Sequence, residues 1–394
     1  MIGILIFAKS NIFMRVLLIG EYSGHHNAVK EGLVKLGHDV LLVGNGDGFK
    51  NYPVDININH SFHNKVLKKF KVAFYKLTSI DLGSLEVYYK ALFHLKKFKG
   101  FDIVQLMNES ALGIDPNFQI KFLKRIIKHN KKLVLISSGI DYQCMSYMME
   151  GKFRYSIMSP YLEDQSLFET YQFQLQYLNE KFTKLHNFIY DHCYGVIASD
   201  MDYHIPLLGH EKYLGLAPNP INTDRIQYIP LKINEKIKIF HGVNRSAMHK
   251  KGNHFFIEAL NIIEDKYADK VDIITTYSIP YSEYIKRYED CHILLDQVYA
   301  YDQGFNALEA MAKGKVVFTG AEQEWLEYYN LKADTVAINA LPDAKKIAEK
   351  LEWLILNPDY IYKISQNARA FVEREHHYIK ATKDYIKKWN VEHN

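Results

Sequence analysis

Two short stretches of the chain carry residue types suited to holding an anion. The first, HGVNRSAMHKKG, follows the apolar run Ile237–Phe240 and contains Gly242, Arg245, Lys250 and Lys251. Arg offers a planar fork that matches phosphate oxygens and Lys a point charge, and together they stabilise a leaving group that gains negative charge. Taken alone, these residues fit a solvated basic loop equally well. The second, DQVYAYDQGFNALEAMAKGK, follows Ile293–Leu295. In it Gly304 permits close backbone approach, and a helix opening at Phe305 or Asn306 would aim free N–H groups and a positive dipole end at an anion. Glu309, expected in the first turn on the face of Asn306, can accept hydrogen bonds from a ribose diol. On its own, a Glu near a helix start is explained by the dipole. Leu295 to Gly320 is therefore expected to form a nucleotide-diphosphate pocket.

A second group of candidates lies earlier. GEYSGHHNAVK follows the first strand, and His25 or His26 at the helix start can approach an acceptor hydroxyl. A capping or solvated His fits the same positions. Asp141, in SSGIDYQ after Leu133–Ile136, and Glu109, after Ile103–Leu106, are further cleft candidates.

These loops need a scaffold that brings strand ends together. With 394 residues, 48% hydrophobic and 24% charged, the chain suits two folded domains with a cleft between them. Strand Val16–Ile19, a helix through Leu36 and strand Val40–Val43 open a βαβ unit, and Ile103–Leu106, Leu133–Ile136 and Gly195–Ala198 continue a parallel sheet. LAPNPINTDRIQYIP, residues 216–230, reads as an interdomain connection because its X-Pro bonds favour extended backbone. The pattern then restarts: strands Ile237–Phe240, Val271–Thr275, Ile293–Leu295 and Val316–Phe318 alternate with helices Asn253–Ile263, Ser282–Tyr288 and Asn306–Lys313. Ala344–Trp389 is helical, broken at Asn357–Pro358. The expected fold is α/β, with two Rossmann-like doubly wound domains facing across a cleft. Its parts are an extension at 1–13, a first domain at 14–213, a linker at 214–230, a second domain at 231–375 and a closing helix at 376–394.

The order of these motifs, with EAMAKGKVV after the Gly-opened helix and PNPIN at 218–222, resembles retaining GT-B glycosyltransferases of family 4 (group 1). Ala198–Ser199 resembles the end of that family's N-terminal sheet, and NARAFVEREHHYIKATKDYIKKW its closing helices, which implies an acceptor-binding domain at 14–213, a donor-binding domain at 231–375 and a helix at 376–394 that crosses back to the first. The resemblance implies transfer of a sugar from a nucleotide-diphosphate sugar to a glycan or lipid-linked hydroxyl, with retention and without a protein nucleophile, metal or cofactor. It assigns Arg245 and Lys251 to the diphosphate, Glu309 to the ribose, and Gly304, Phe305 and Asn306 to phosphate and sugar. Gly242 belongs to the same donor site, and Tyr277 to Pro280 would lie near the nucleobase. The family pattern has two glutamates with seven residues between them, but the first position here is Tyr301. Asp296-Gln297 resembles a DQ subgroup, and either Asp302 or Gln303 or backbone groups alone are expected to supply the sugar contact.

Charge is uneven: residues 50–132 carry 16 Lys or Arg against 6 Asp or Glu, and residues 133–394 carry 29 against 35. Phe62, Val66, Leu67, Phe70, Phe74 and Leu77 recur at helical spacing among lysines. This basic amphipathic pattern at 60–78 suits peripheral contact with an anionic membrane, or a surface helix packed on its own domain. No nucleic-acid-binding motif accompanies it. Cys144, Cys193 and Cys291 have neither disulfide nor zinc spacing, and the first residues do not read as a signal peptide. A cytoplasmic protein, at most peripheral at the inner membrane face, is expected. The alternatives are a sugar-nucleotide epimerase or phosphorylase on the same fold, a non-catalytic membrane-surface scaffold, and a nicotinamide dehydrogenase. The last is disfavoured because Gly20 and Gly24 lack G-x-G-x-x-G spacing.

Overall fold

The computed structural model describes residues 13–47 and 51–391, so the expected extension at 1–13 lies outside it apart from Phe13. Strands β1 (Arg15–Ile19), β2 (Asp39–Gly44), β3 (Ile56–Asn57), β4 (Ile103–Leu106), β5 (Lys132–Ser137), β6 (Gly195–Ala198) and β7 (Tyr213–Leu216) form one sheet, in the order β3-β2-β1-β4-β5-β6-β7. A second sheet follows the order β12-β11-β10-β8-β9. It comprises β8 (Ile237–Val243), β9 (Val271–Tyr277), β10 (Ile293–Leu295), β11 (Val316–Thr319) and β12 (Ile338–Asn339). Every pairing in both sheets is parallel. Helices cover both faces of such sheets, which is why the strands are apolar runs rather than alternating ones: Val16 to Ile19 and Val316 to Phe318 are fully buried. The strand order reverses between β1 and β4 and between β8 and β10, and crevices open at such points beyond the carboxyl ends.

The C-terminal segment ties the two halves together. Helices Ala344–Leu356 and Pro358–Phe371 pack on the second sheet, and a π-helical turn, Val372–His376, leads into helix Tyr378–Trp389. At the crossing, Ile221 N–H donates to His376 O and Tyr378 N–H donates to Ile221 O, so the linker and the returning chain pair as a short parallel bridge. The last helix lies on helix His25–Lys35 where Gly32 leaves room, since a Cβ there would collide with Thr382. Trp389, fully buried, donates from Nε1 to Gln105 Oε1 at 2.9 Å.

Candidate functional site

An open cavity of about 560 Å³ lies beyond the carboxyl ends of β8 and β10. Gly242, Lys251, Gly304, Phe305, Asn306 and Glu309 of the second domain line it, together with Ser23 and Tyr52 of the first. The sequence thus places most of the expected donor residues on one wall.

Gly242 lies inside β8, not at its exit, because β8 pairs with β9 through Val243↔Tyr277. A Cβ at Gly242 would meet the Tyr284 ring. Tyr284 Oη donates to Asn306 Oδ1 at 3.0 Å, and Asn306 Nδ2 donates to Asp296 Oδ1 at 2.8 Å. Lys251 Nζ donates to the same Asp296 oxygen at 3.0 Å. The Asp296 side chain is 2% exposed and that of Lys251 33%, so a buried carboxylate orients an ammonium whose tip reaches the cavity. Lys251 precedes helix Asn253–Tyr267, whose N-cap Gly252 adopts the left-handed conformation.

Gly304 is the N-cap of helix Phe305–Ala312 and offers no side chain to the first-turn N–H groups. A Cβ at Gly304 would meet nothing within 4 Å, so this helix end opens on the cavity. The helix starts at Phe305, so Glu309 lies just past the first turn, and it lines the cavity with Asn306. Thr276 Oγ1, also in the lining, is buried and has no hydrogen-bond partner among the described residues. Arg245 stands at the rim beside the lining residues Asn244 and Ala247, with its guanidinium carbon 5.1 Å from the centroid of the Tyr277 ring. Thr276, Ser278 and Ile279 line the cavity, whereas Pro280 is the N-cap of helix Tyr281–Asp290.

Other expected residues lie elsewhere. Asp302 accepts from Met201 N–H at 2.9 Å, and Gln303 Nε2 donates to Gly320 O at 2.7 Å. Both are buried at the domain joint, outside the cavity lining. Tyr301, at the family's glutamate position, accepts from Arg154 N–H at 2.9 Å, and its own N–H donates to Asp202 at 3.1 Å. Arg154 also reaches Glu322 at 2.7 Å and Glu324 at 2.6 Å. The loop after β10 is thus turned toward the first domain. The carboxylate oxygens of Asp200, Asp202 and Asp302 come within 4.8 Å of one another, a cluster the sequence hid because Asp302 lies far along the chain from the other two. Burial pushes the Asp202 carboxyl up to about 7, and burial beside neighbouring carboxylates holds Asp200 and Asp302 well above the ordinary range. The cluster is an interdomain joint in which burial favours the protonated carboxyl.

His25 and His26 are fully buried. His26 Nδ1–H donates to Gly20 O at 2.7 Å and its Nε2 accepts from Gln105, while burial lowers its pKa to about 4. His25 Nε2 pairs with Tyr385 Oη at 2.8 Å, and its ring stands 5.6 Å from that of Phe305. Asp141 caps helix Tyr142–Met149 through Cys144 N–H at 2.8 Å, and burial raises its carboxyl to about 7. Glu109 holds His186 Nδ1 at 2.6 Å in the same buried group. None of these four lines the cavity. Ser23 and Tyr52, which do, carried no periodic signal in their loops.

Residues 246–387 match a family model described as "Glycosyl transferase-like". No curated protein matches the sequence. Three solved structures are similar across nearly the whole chain. HepE of Anabaena in complex with UDP and glucose is 13% identical with a TM-score of 0.58, covering 95% of this chain and 98% of its own. Sucrose-phosphate synthase of Thermosynechococcus elongatus is 13% identical at 0.59, with the same coverage. A TarM variant of S. aureus with Fondaparinux, alpha-GlcNAc-glycerol and UDP is 10% identical at 0.59, covering 96% and 100%. The chain therefore has the GT-B fold of two Rossmann-like domains, and its second domain carries the glycosyl transferase-like sequence match.

Proposed function

We propose that this protein transfers a sugar from a nucleoside-diphosphate sugar to a hydroxyl of a glycan or lipid-linked acceptor. The observation that carries this reading is the cavity wall itself: an uncapped helix N-terminus at Gly304, the Lys251 ammonium held by Asp296, and Glu309 on one surface. The helix end and Lys251 receive the diphosphate, Arg245 swings in from the rim, and Glu309 accepts from the ribose. Tyr52 and Ser23 border the acceptor side. Retention follows if the leaving phosphate takes the acceptor proton, a scheme that asks no protein base of the buried His25, His26 or Asp141. HepE and TarM crystals hold UDP, which makes UDP-sugars the first donors to try.

A thermal-shift screen of UDP-, GDP-, dTDP- and ADP-sugars tests the reading, repeated with Arg245→Ala and Glu309→Ala. Stabilisation by one nucleotide class, reduced in both variants, is expected. Stabilisation by none, or the same stabilisation in both variants, rejects the donor site. Product analysis separates transfer from epimerisation, which needs no acceptor.

A further inference from the structure

Helix Lys65–Thr78 has no buried residue along its 14 positions. Its apolar side, Val66, Phe70, Ala73 and Leu77, faces outward, with Val66 76% and Leu77 86% exposed. An isolated helix of this length is marginal in water, and its Asn64 cap contributes only about 1 kcal/mol. The next helix, Leu82–Phe93, places Leu82, Leu85, Tyr89 and Phe93 along one side, where they line an open apolar groove with Phe62. Phe93 is 84% exposed. Single exposed apolar residues are ordinary, but apolar sides exposed on two successive helices mark a binding face.

Charge selects what it binds. Residues 61–100 contain nine lysines and two acids, Asp81 and Glu86. Lys71 pairs with Asp81 at 3.5 Å and Lys90 with Glu86 at 2.8 Å, which neutralises both carboxylates. Lys65, Lys68, Lys69 and Lys76 make no ion pair among the described residues, and they occupy the helix side opposite Phe70. An apolar strip flanked by uncompensated lysines fits the headgroup and acyl boundary of an anionic bilayer.

We infer that the helical pair formed by residues 62–93 is the surface by which this protein docks on an anionic lipid bilayer. No helix among the described residues is long and apolar enough to cross a membrane, so the contact is interfacial. The pair is inserted between β3 and β4, and it leaves the sheet at the carboxyl end of β3, the edge that faces the cleft. β3 pairs with β2, whose following loop supplies Tyr52 to the cavity. Docking there brings the first domain's side of the cleft toward the lipid, so the acceptor hydroxyl belongs to a lipid-anchored molecule. That last step rests on the transfer reading; the docking surface itself does not.

The test is flotation of the full chain with vesicles of phosphatidylcholine and 30% phosphatidylglycerol. Binding that is lost in pure phosphatidylcholine and falls with salt is expected. Replacing Lys65, Lys68 and Lys69 by Gln should weaken it on the order of 100-fold at low salt. The exposed-site variant with Phe70→Ser, Leu77→Ser and Phe93→Ser should abolish it while leaving the melting temperature and nucleotide-induced shift unchanged. Four results overturn the proposal: no binding to anionic vesicles, equal binding by both variants, binding that disappears only when residues 2–12 are deleted, or a dimer in sedimentation velocity that the Ser variant dissociates without any vesicle binding. Vesicle binding without a nucleotide shift would instead reject the transfer reading and leave the surface standing.

Discussion

Lys251 is the residue on which the proposed anion site turns, because the same side chain neutralises Asp296 and reaches the cavity. Replacing it by Ala leaves a nearly fully buried carboxylate that keeps the Asn306 amide as a side-chain partner but loses its cation. The apoprotein should lose about 1–3 kcal/mol in chemical denaturation, and its nucleotide-induced thermal shift should vanish. A retained shift would move the phosphate contact elsewhere. Lys251, Asn306 and Glu309 were legible as a set because each follows a strand at a fixed distance. Asp302 and Gln303 were not. Their loop is bent back by Tyr301 packing under Arg154, by Tyr301 N–H donating to the Asp202 carboxylate and by Met201 N–H donating to the Asp302 carboxylate. Those partners belong to another domain, and nothing in the local string reports them. The histidines mislead for a related reason: an exposed-looking HH at a helix start is covered by a helix 350 residues later in the chain, which brings Tyr385 to His25.

At the scale of elements, the strand-loop-helix units were read closely, since β4, β6 and β10 have the bounds their apolar runs suggest. β3 and β12 were missed because each has two residues, too few for any pattern, and β7 because it abuts the Pro-rich linker. Helix Phe305–Ala312 yields the cleanest prediction at this scale. Gly304 has φ −78°, open to any residue, and a Cβ there meets only empty space. Gly304→Val should leave the melting temperature of the apoprotein within a few degrees, a change of roughly 0.5 kcal/mol, yet block the phosphate approach. At the other end of the chain, Trp389→Ala removes a fully buried indole from the crossing helix. It should cost about 3–5 kcal/mol in chemical denaturation; a loss below 1 kcal/mol would show that the crossing helix does not couple the halves.

Across the whole molecule, the joint between domains is written in carboxylates whose protons depend on pH. Asp202 is raised to about 7, so the folded state binds more protons than the unfolded chain above pH 4. Stability from this source is complete below the ordinary carboxylate range and lost as pH rises through 7. The buried His26, His241 and His376, lowered to about 4, act oppositely: their contribution is present above 6.5 and lost as pH falls toward 4. Between pH 6.5 and 8.5 the histidines contribute nothing and the raised carboxyls act, Asp202 at the joint together with Asp141 and Glu21 in the first domain, each pushed up to about 7 by burial. The melting temperature should fall over that window, and less steeply in Asp302→Asn, which keeps an acceptor for Met201 and removes one titrating carboxyl from the joint. An unchanged slope would exclude the joint as its origin. The central claim is that the wall at Gly304 and Lys251 receives a nucleoside diphosphate, and calorimetric titration of UDP into wild-type protein and Gly304→Val tests it most directly. One-site binding by the wild type, absent in a variant of equal thermal stability, is the predicted result; equal binding by both proteins would contradict it.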